Sequence, residues 1–384
     1  MKLMHLSDLH LGKRVNGFSM LEDQEYILNQ ILEMMDAEAP DALLIAGDVY
    51  DKPIPPAEAV HLMDQFLTAV ANRKIPTYII SGNHDSAERV AFGHQLMAES
   101  GIYISPVYDG SIASYTLEDE WGKINFYLIP FVRPTMVRNY AEDVEIQNYT
   151  DALNEIVKRL DLNPDERNVA IAHQFVIGIG SDAMPETCDS EQLSVGGIDQ
   201  VDGSVFADFD YVALGHLHGP QRIGRDEVRY AGSPLKYSFS ELNQKKSVTI
   251  IELREKGNAE IRLLPLKPLR ELREVRGSFA EIIQDGASAA SPSKDYWHVI
   301  LTDEDDVIDA LSRIREYYPN TMLLDYDNRR TRSQREVEQP VDARERSPQE
   351  LFELLFEQQN DQPMSGEQRE LVDSLVREIW EMQE

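Results

Sequence analysis

The chain has 384 residues, enough for two or three domains at roughly 150 residues each, and its 42% hydrophobic and 27% charged residues are ordinary for a globular protein with a sizeable core. A single cysteine, Cys188, excludes an internal disulfide framework and a multi-cysteine zinc site, and favours a reducing compartment. The formal charge of −31, with no segment basic overall, argues against a broad basic footprint for gripping a phosphate backbone.

No apolar run approaches the ~18 residues of a membrane-spanning helix. The opening MKLMHLSDLHLG has neither a long apolar core nor a small-residue cleavage site, so it does not read as a secretory signal. The expected location is the cytoplasm, with no membrane partner.

The apolar runs KLMHLS (2–7), ALLIAG (42–47) and TYIISG (77–82) read as buried strands, each entering a turn with Gly, Asp or Asn. Residues 21–36, 56–72 and 86–99 between them show helical spacing. Strand–helix alternation predicts an α/β fold with parallel strands and right-handed crossovers. Residues 115–130 and 168–175 supply further strands. From about 210 the pattern is strand-rich (DYVALG, VRYAGS, SVTIIEL, AEIRLLPL) and predicts a second sheet packed on the first.

The character changes near Pro265 and Pro268. Residues 269–276, 295–301 and 321–325 read as strands, 303–317 as a helix and 284–294 as a flexible loop, together a small α+β unit. The polar, charged stretch 326–346 reads as a linker. Ser347-Pro348-Gln349-Glu350 is a capping box that opens a helix bearing Leu351, Phe352, Leu354, Leu355 and Phe356. Ser365-Gly366-Glu367-Gln368 opens a second, bearing Leu371, Val372, Leu375, Val376, Ile379 and Trp380. The expected division is 1–267, 268–325, 326–346 and 347–384. Two helices this short are marginal alone, so their apolar stripe must pack on something.

Five polar clusters follow predicted strands: Ser7-Asp8-Leu9-His10, Gly47-Asp48, Gly82-Asn83-His84-Asp85, Ala172-His173 and Gly215-His216-Leu217-His218. Ligands of open α/β sheets bind at the carboxyl ends of strands, so the clusters should converge at one edge. Two carboxylates, four imidazoles and one amide suit a pair of divalent cations sharing a bridging carboxylate. Asp8, His10, Asp48 and His218 would hold one cation, and Asp48, Asn83, His173 and His216 the other. Mixed nitrogen and oxygen donors without thiolate suit Mn2+, with Fe or Zn as alternatives. Paired cations about 3.5–4 Å apart activate water and clamp a phosphate. The glycines before Asp48, Asn83 and His216 would let the backbone turn tightly there. Asp51 and Asp85 read as loop or cap residues, and His5, His61, His94 and His298 as structural.

These blocks in this order (D-x-H, G-D, G-N-H-D, H, G-H-x-H) resemble the calcineurin-like metallophosphoesterases. The resemblance implies a two-sheet α/β/β/α sandwich and gives His84 the role of stabilising the transition state and protonating the leaving oxygen. Asp51 could orient its imidazole.

SDLHLGK, GDVYDKPIPPAEAV, GNHDSAERV, GHLHGPQ and YAGSPLKYSFSE narrow the resemblance to the SbcD branch, bacterial nuclease subunits that pair with SMC-like ATPases. KPLRELREVRGSF (267–279) and residues 295–324 look like that family's DNA-capping domain, and the two terminal helices like its ATPase-binding pair. The resemblance implies an ATP-dependent double-strand DNA 3′→5′ exonuclease and hairpin endonuclease. Its partner would be an SbcC-type ATPase, with two copies of each protein forming the complex.

Homodimerisation would use helices 56–72 and 86–99 through Val60, Met63, Leu67, Phe92 and Leu96, unless these simply cover the sheet. Lys13, Arg14, Lys52, Arg89, Arg270, Arg273 and Arg276 are the candidate phosphate contacts, although the strand carrying the last three mixes signs like a solvated face. Two other readings stay open: a nucleotide or small-molecule phosphodiesterase, and a regulatory scaffold for the ATPase.

Overall fold

A computed structural model describes residues 1–141, 144–178, 184–191, 199–329, 331, 347–360 and 363–383. Two six-stranded sheets lie face to face. In spatial order the first runs Ala259–Pro265, Ser247–Leu253, Lys2–Leu6, Ala42–Ala46, Thr77–Ile80 and Ile102–Ile104. Its last four strands are parallel, and Ser247–Leu253 is antiparallel to both its neighbours. The second runs Gln221–Ile223, Arg225–Tyr230, Tyr211–Gly215, Arg167–His173, Gly122–Ile129 and Ala113–Asp119, with four parallel strands in the middle.

Strand side chains alternate between faces, and the cores follow that period of two. From the first sheet Leu3, Leu44 and Ile80, and from the second Phe126, Leu128 and Ile171, fill the space between the sheets. Tyr78 and Phe126 stack there at 4.5 Å. Burying such a ring contributes roughly 1.5–3 kcal/mol. Met4, Leu43 and Ile45 turn outward, under the helices Leu21–Glu38 and Ala57–Asn72. Tyr127 and Ile129 turn the other way, onto the helix Tyr149–Lys158. The layers are therefore α/β/β/α, the sandwich expected.

A third, parallel sheet, Leu272–Gly277, Tyr296–Leu301 and Thr321–Tyr326, has its own core of Phe279, Ile282, Val299, Leu301 and Ile314. Leu272, Tyr296 and Met322 instead join the core under the first sheet's helices. Arg270 bonds Asp23 at 2.7 Å and pairs with Glu22, which ties this unit to the helix Leu21–Glu38.

Several expectations are corrected. The strands from SVTIIEL and AEIRLLPL belong to the first sheet, because Ser247–Leu253 pairs with the first strand. The strands expected at 115–130 do form, as a hairpin turned where Asp119 accepts the Trp121 N–H at 2.8 Å. The helix at 86–99 is two short pieces, Ala87–Val90 and His94–Ala98. The helix at 303–317 shrinks to Ala310–Ile314. A capping box from Ser278 to Glu281 starts an unpredicted helix, Phe279–Ser288, which runs into the expected 284–294 loop. Most of the 326–346 linker lies outside the described residues.

Both terminal capping boxes form: Ser347 and Glu350 bond reciprocally at 2.7 and 3.1 Å, and Ser365 and Gln368 at 2.8 and 3.3 Å. The helices Pro348–Asn360 and Gly366–Gln383 are bridged by Arg369 and Glu353 at 2.7 Å. Phe352, Leu355, Leu371 and Leu375 are exposed on them. Leu354, Ile379 and Trp380 lie outside the described side chains. Among the described residues no helix is long and apolar enough to cross a membrane.

Candidate metal centre

The strands Lys2–Leu6, Ala42–Ala46, Thr77–Ile80, Arg167–His173 and Tyr211–Gly215 end at one edge of the sandwich, where their following loops meet. Asp8, His10, Asp48 and His216 all have positive φ (52°, 44°, 48° and 112°). Non-glycine residues rarely adopt this region, and such strain collects at functional sites. Gly47 has φ +84°, and a Cβ on it would lie 2.4 Å from the His173 ring. A Cβ on Gly215 would lie 1.9 Å from the Ala46 carbonyl oxygen. The loops can close this tightly only with glycine at these positions.

The structure brings together all seven side chains singled out as ligands. Asp48 is central: its Oδ2 lies 3.6 Å from His10 Nε2 and 3.3 Å from His173 Nε2. On one side, His10 and His218 face each other Nε2 to Nε2 at 3.0 Å, with Asp8 in the same cluster. On the other, Asn83 Oδ1 lies 3.0 Å from both His173 Nε2 and His216 Nδ1. The Asp48 carboxylate also accepts the His84 N–H at 2.9 Å, and Asp8 that of His216 at 3.0 Å. His173 gives its Nδ1 proton to the Ala46 carbonyl at 2.8 Å, which turns Nε2 toward Asp48 and makes it the atom that would bind a cation on losing its proton.

Most of the cluster is buried: Asp8, His10 and His173 fully, and Asp48 with 2% exposure, while Asn83 and His216 reach the cleft. Burial pushes the Asp8 carboxyl up to about 7, with the neighbouring Asp48 adding to it and His173 opposing. Burial likewise pushes His216 down to about 3 and His10 well below the imidazole range, so both are neutral. His173 is pushed up to about 9, because the attraction of Asp48 overcomes burial.

The residues fit divalent cations. His10 Nδ1 and His216 Nε2 are buried without a hydrogen-bond partner, and neutral imidazoles converge on carboxylates, which is costly unless a further group satisfies them. The donors are nitrogen and oxygen. Cys188 adjoins His218 and contacts Ser190 Oγ at 3.2 Å, and burial pushes its thiol up in the metal-free protein.

His84 stands at the cleft side of the cluster, its ring 4.8 Å from that of His10. Its Nδ1 donates to the Asp51 backbone carbonyl at 3.1 Å, and the Asp51 carboxylate takes the Lys13 ammonium at 2.7 Å. The orienting group is thus the main chain of Asp51. Asp85 caps the neighbouring loops, accepting N–H groups of Val49, Tyr50 and Gly82 at 2.9–3.0 Å. His5 is buried between the sheets against Tyr211.

The cluster floors an open cleft of about 990 Å³. Lys52 and Arg133 line it with no ion-pair partner among the described residues. Arg133 was missed in the sequence, although the run LIPFVRP carries it just past the carboxyl end of a strand. His298 and Leu323 of the third sheet also reach the cleft wall. Two candidate arginines of that unit are already paired: Arg273 with Asp295 at 2.5 Å and Arg276 with Asp327. Arg89 lies on a different cleft, beside Val60 and Phe92.

Fold and cluster define a metal-dependent phosphoesterase. A calcineurin-like phosphoesterase family model matches residues 1–220, and one for the Type 5 capsule protein repressor C-terminal domain matches 268–360. The SbcD subunit of the SbcCD nuclease of Staphylococcus epidermidis is 33% identical over 385 residues, covering 98% of either chain. Two solved structures are more distant. A dimetal phosphatase from Danio rerio shares 10% identity over 70% of this chain and 99% of its own, with TM-score 0.38. The E. coli phosphoesterase Yfce shares 13% over 66% and 88%, with TM-score 0.26. The chain belongs to the calcineurin-like phosphoesterases and, within them, to the SbcD family of nuclease subunits.

Proposed function

We propose that this nuclease subunit is a Mn2+-dependent DNA phosphodiesterase that works with an SbcC-type ATPase on double-strand ends and hairpins. The observation that carries the reading is the gathering of Asp8, His10, Asp48, Asn83, His173, His216 and His218 around one central carboxylate beneath an open cleft. Asp8, His10, Asp48 and His218 would hold one cation; Asp48, Asn83, His173 and His216 the other. When bound, the cations would supply Lewis acidity toward water and the scissile phosphate. The chain's own groups do the rest. The Asp51 carbonyl accepts the His84 Nδ1 proton and so holds the ring, which leaves Nε2 as the atom that, in the imidazolium form, gives the second proton to the leaving oxygen. Lys52 and Arg133 attract the phosphate backbone into the cleft. The third sheet, through His298 and Leu323, narrows the cleft on one side and favours an extended polymer over a small ester.

The exposed apolar residues of the terminal helix pair support docking into a groove of the ATPase. Val60, Phe92 and Leu96, exposed by 45%, 84% and 75%, support pairing with a second copy, while Met63 and Leu67 are buried beneath them. The test is cleavage of linear duplex and hairpin DNA in Mn2+, with and without the ATPase and ATP. His84→Gln is expected to lower turnover by about 10²–10⁴, and Asp48→Ala to abolish it. Deleting 347–384 should remove only the ATP-dependent stimulation. Loss of that stimulation together with the basal activity would reject the docking role; no Mn2+-dependent cleavage in any arm would reject the nuclease reading.

A further inference from the structure

One motif is not absorbed by the ligands or by His84. The segment YAGSPLKYSFSE ends in Glu241, a carboxylate with no exposure at all. Its Oε1 accepts the Ser190 hydroxyl at 2.7 Å and the Tyr237 N–H at 3.1 Å. Its Oε2 receives the buried Lys246 ammonium at 2.6 Å. Ser190 Oγ in turn lies 2.7 Å from His218 Nδ1.

A hydroxyl has one proton, and a carboxylate paired with an ammonium can only accept. Ser190 therefore donates to Glu241, and His218 must donate its Nδ1 proton to Ser190. That leaves the lone pair on Nε2, the atom facing His10. The backbone on either side of the ring is clamped too: Glu191 accepts the His218 N–H at 2.6 Å, and Lys246 donates to the His218 carbonyl at 2.8 Å.

We propose that Glu241, braced by Lys246 and acting through Ser190, is a positioning residue that fixes the tautomer and orientation of His218 for the cation it shares with Asp8, His10 and Asp48. The proposal rests on the two-cation reading. A ligand imidazole gains basicity and a fixed ring plane when its other nitrogen donates to a carboxylate or its relay. If Glu241 served only to neutralise Lys246, the Ser190 link would have no consequence for metal binding.

The test is Mn2+ binding to the full chain by calorimetry and by Mn2+ paramagnetic resonance, with ring-nitrogen NMR of the histidines in metal-free protein. Wild type is expected to bind two equivalents, with the His218 ring in the Nδ1–H form. Glu241→Gln should weaken one equivalent by about 10–100-fold and leave the other unchanged. Ser190→Ala keeps the Glu241–Lys246 pair, so its metal-free melting temperature should hold. It should weaken the same equivalent and release the His218 tautomer, and it decides the matter if Glu241→Gln does not fold. Two wild-type-like equivalents in the folded variants would overturn the positioning role and leave the metal centre standing. Failure of wild type itself to bind Mn2+ would overturn both.

Discussion

Arg270 holds the third sheet to the nuclease core, and the consequence of removing it can be worked from its contacts. Its guanidinium donates to Asp23 Oδ2 at 2.7 Å and pairs with Glu22. Asp23 is fully buried, and Tyr296 gives it a second hydrogen bond at 2.8 Å, while its Oδ1 has none. In Arg270→Ala, Asp23 keeps only the tyrosine hydroxyl. A fully sequestered pair broken in this way costs roughly 3–5 kcal/mol. The Arg270 side chain is 19% exposed, so water can partly replace it, and about 2–3 kcal/mol is expected. Burial pushes the Asp23 carboxyl up, opposed by Tyr296 and Arg270. Removing the arginine raises it further, so the variant's deficit is greatest at high pH and shrinks as Asp23 protonates. Asp23→Asn with Arg270→Met removes both charges and should recover most of the loss. Urea unfolding followed at Trp297, with Trp121 and Trp380 replaced by Phe, reports on the unit directly. Duplex cleavage should fall while hydrolysis of a small phosphodiester persists. A loss below about 0.5 kcal/mol, the level of an ordinary surface substitution, or one equal at pH 4 and pH 8, would refute the reasoning.

Gly215→Ala places a Cβ 1.9 Å from the Ala46 oxygen and should cost upwards of about 1–3 kcal/mol and disturb Mn2+ binding. Gly257→Ala, with positive φ but open space, should cost only about 1–2 kcal/mol, and equal melting temperatures for the two would contradict the steric argument. Phe92→Asp with Leu96→Lys should convert a dimer into a monomer by light scattering while basal cleavage is retained; an unchanged mass would remove this surface from consideration. Lys52→Ala and Arg133→Ala should each flatten the dependence of log affinity on log salt by about one unit. An unchanged slope would place the DNA elsewhere.

The parts of the fold written in local pattern were legible. The first three strands and the two long helices between them announce themselves by periodicity, and both terminal capping boxes by spacing alone. What failed was pairing at a distance. Nothing within SVTIIEL specifies that it pairs with KLMHLS, near the other end of the nuclease unit, so it was grouped with its sequence neighbours. The 303–317 stretch failed differently. Its acidic start, with Asp309 at φ 55°, delays the helix to Ala310, and a longer helix opened by Ser278 went unread, its last turn falling in the 284–294 segment read as a loop.

The candidate site divides along the same line. Ligand-type residues at strand ends are short-range signals, and the parallel sheets carry them to one edge. Charge was less legible because it depends on partners. Arg270, Arg273 and Arg276 stood in sequence as candidate phosphate contacts on a segment of mixed sign, and each is matched by an acid from another element. The net charge of −31 misleads in the same way. A phosphate responds to the local field in the cleft, not to the total over the molecule. There, Asp8 and Asp48 are the only carboxylates among the seven proposed ligands, and two divalent cations outweigh them. The ligand cluster would then be net positive, with Lys52 and Arg133 above it and Asp189, Glu191 and Asp199 also on the cleft lining. Such a field draws a phosphodiester to the reacting position but offers little grip along a duplex. On the proposed reading the ATPase would supply that grip, and the acidic surface is then compatible with nuclease chemistry.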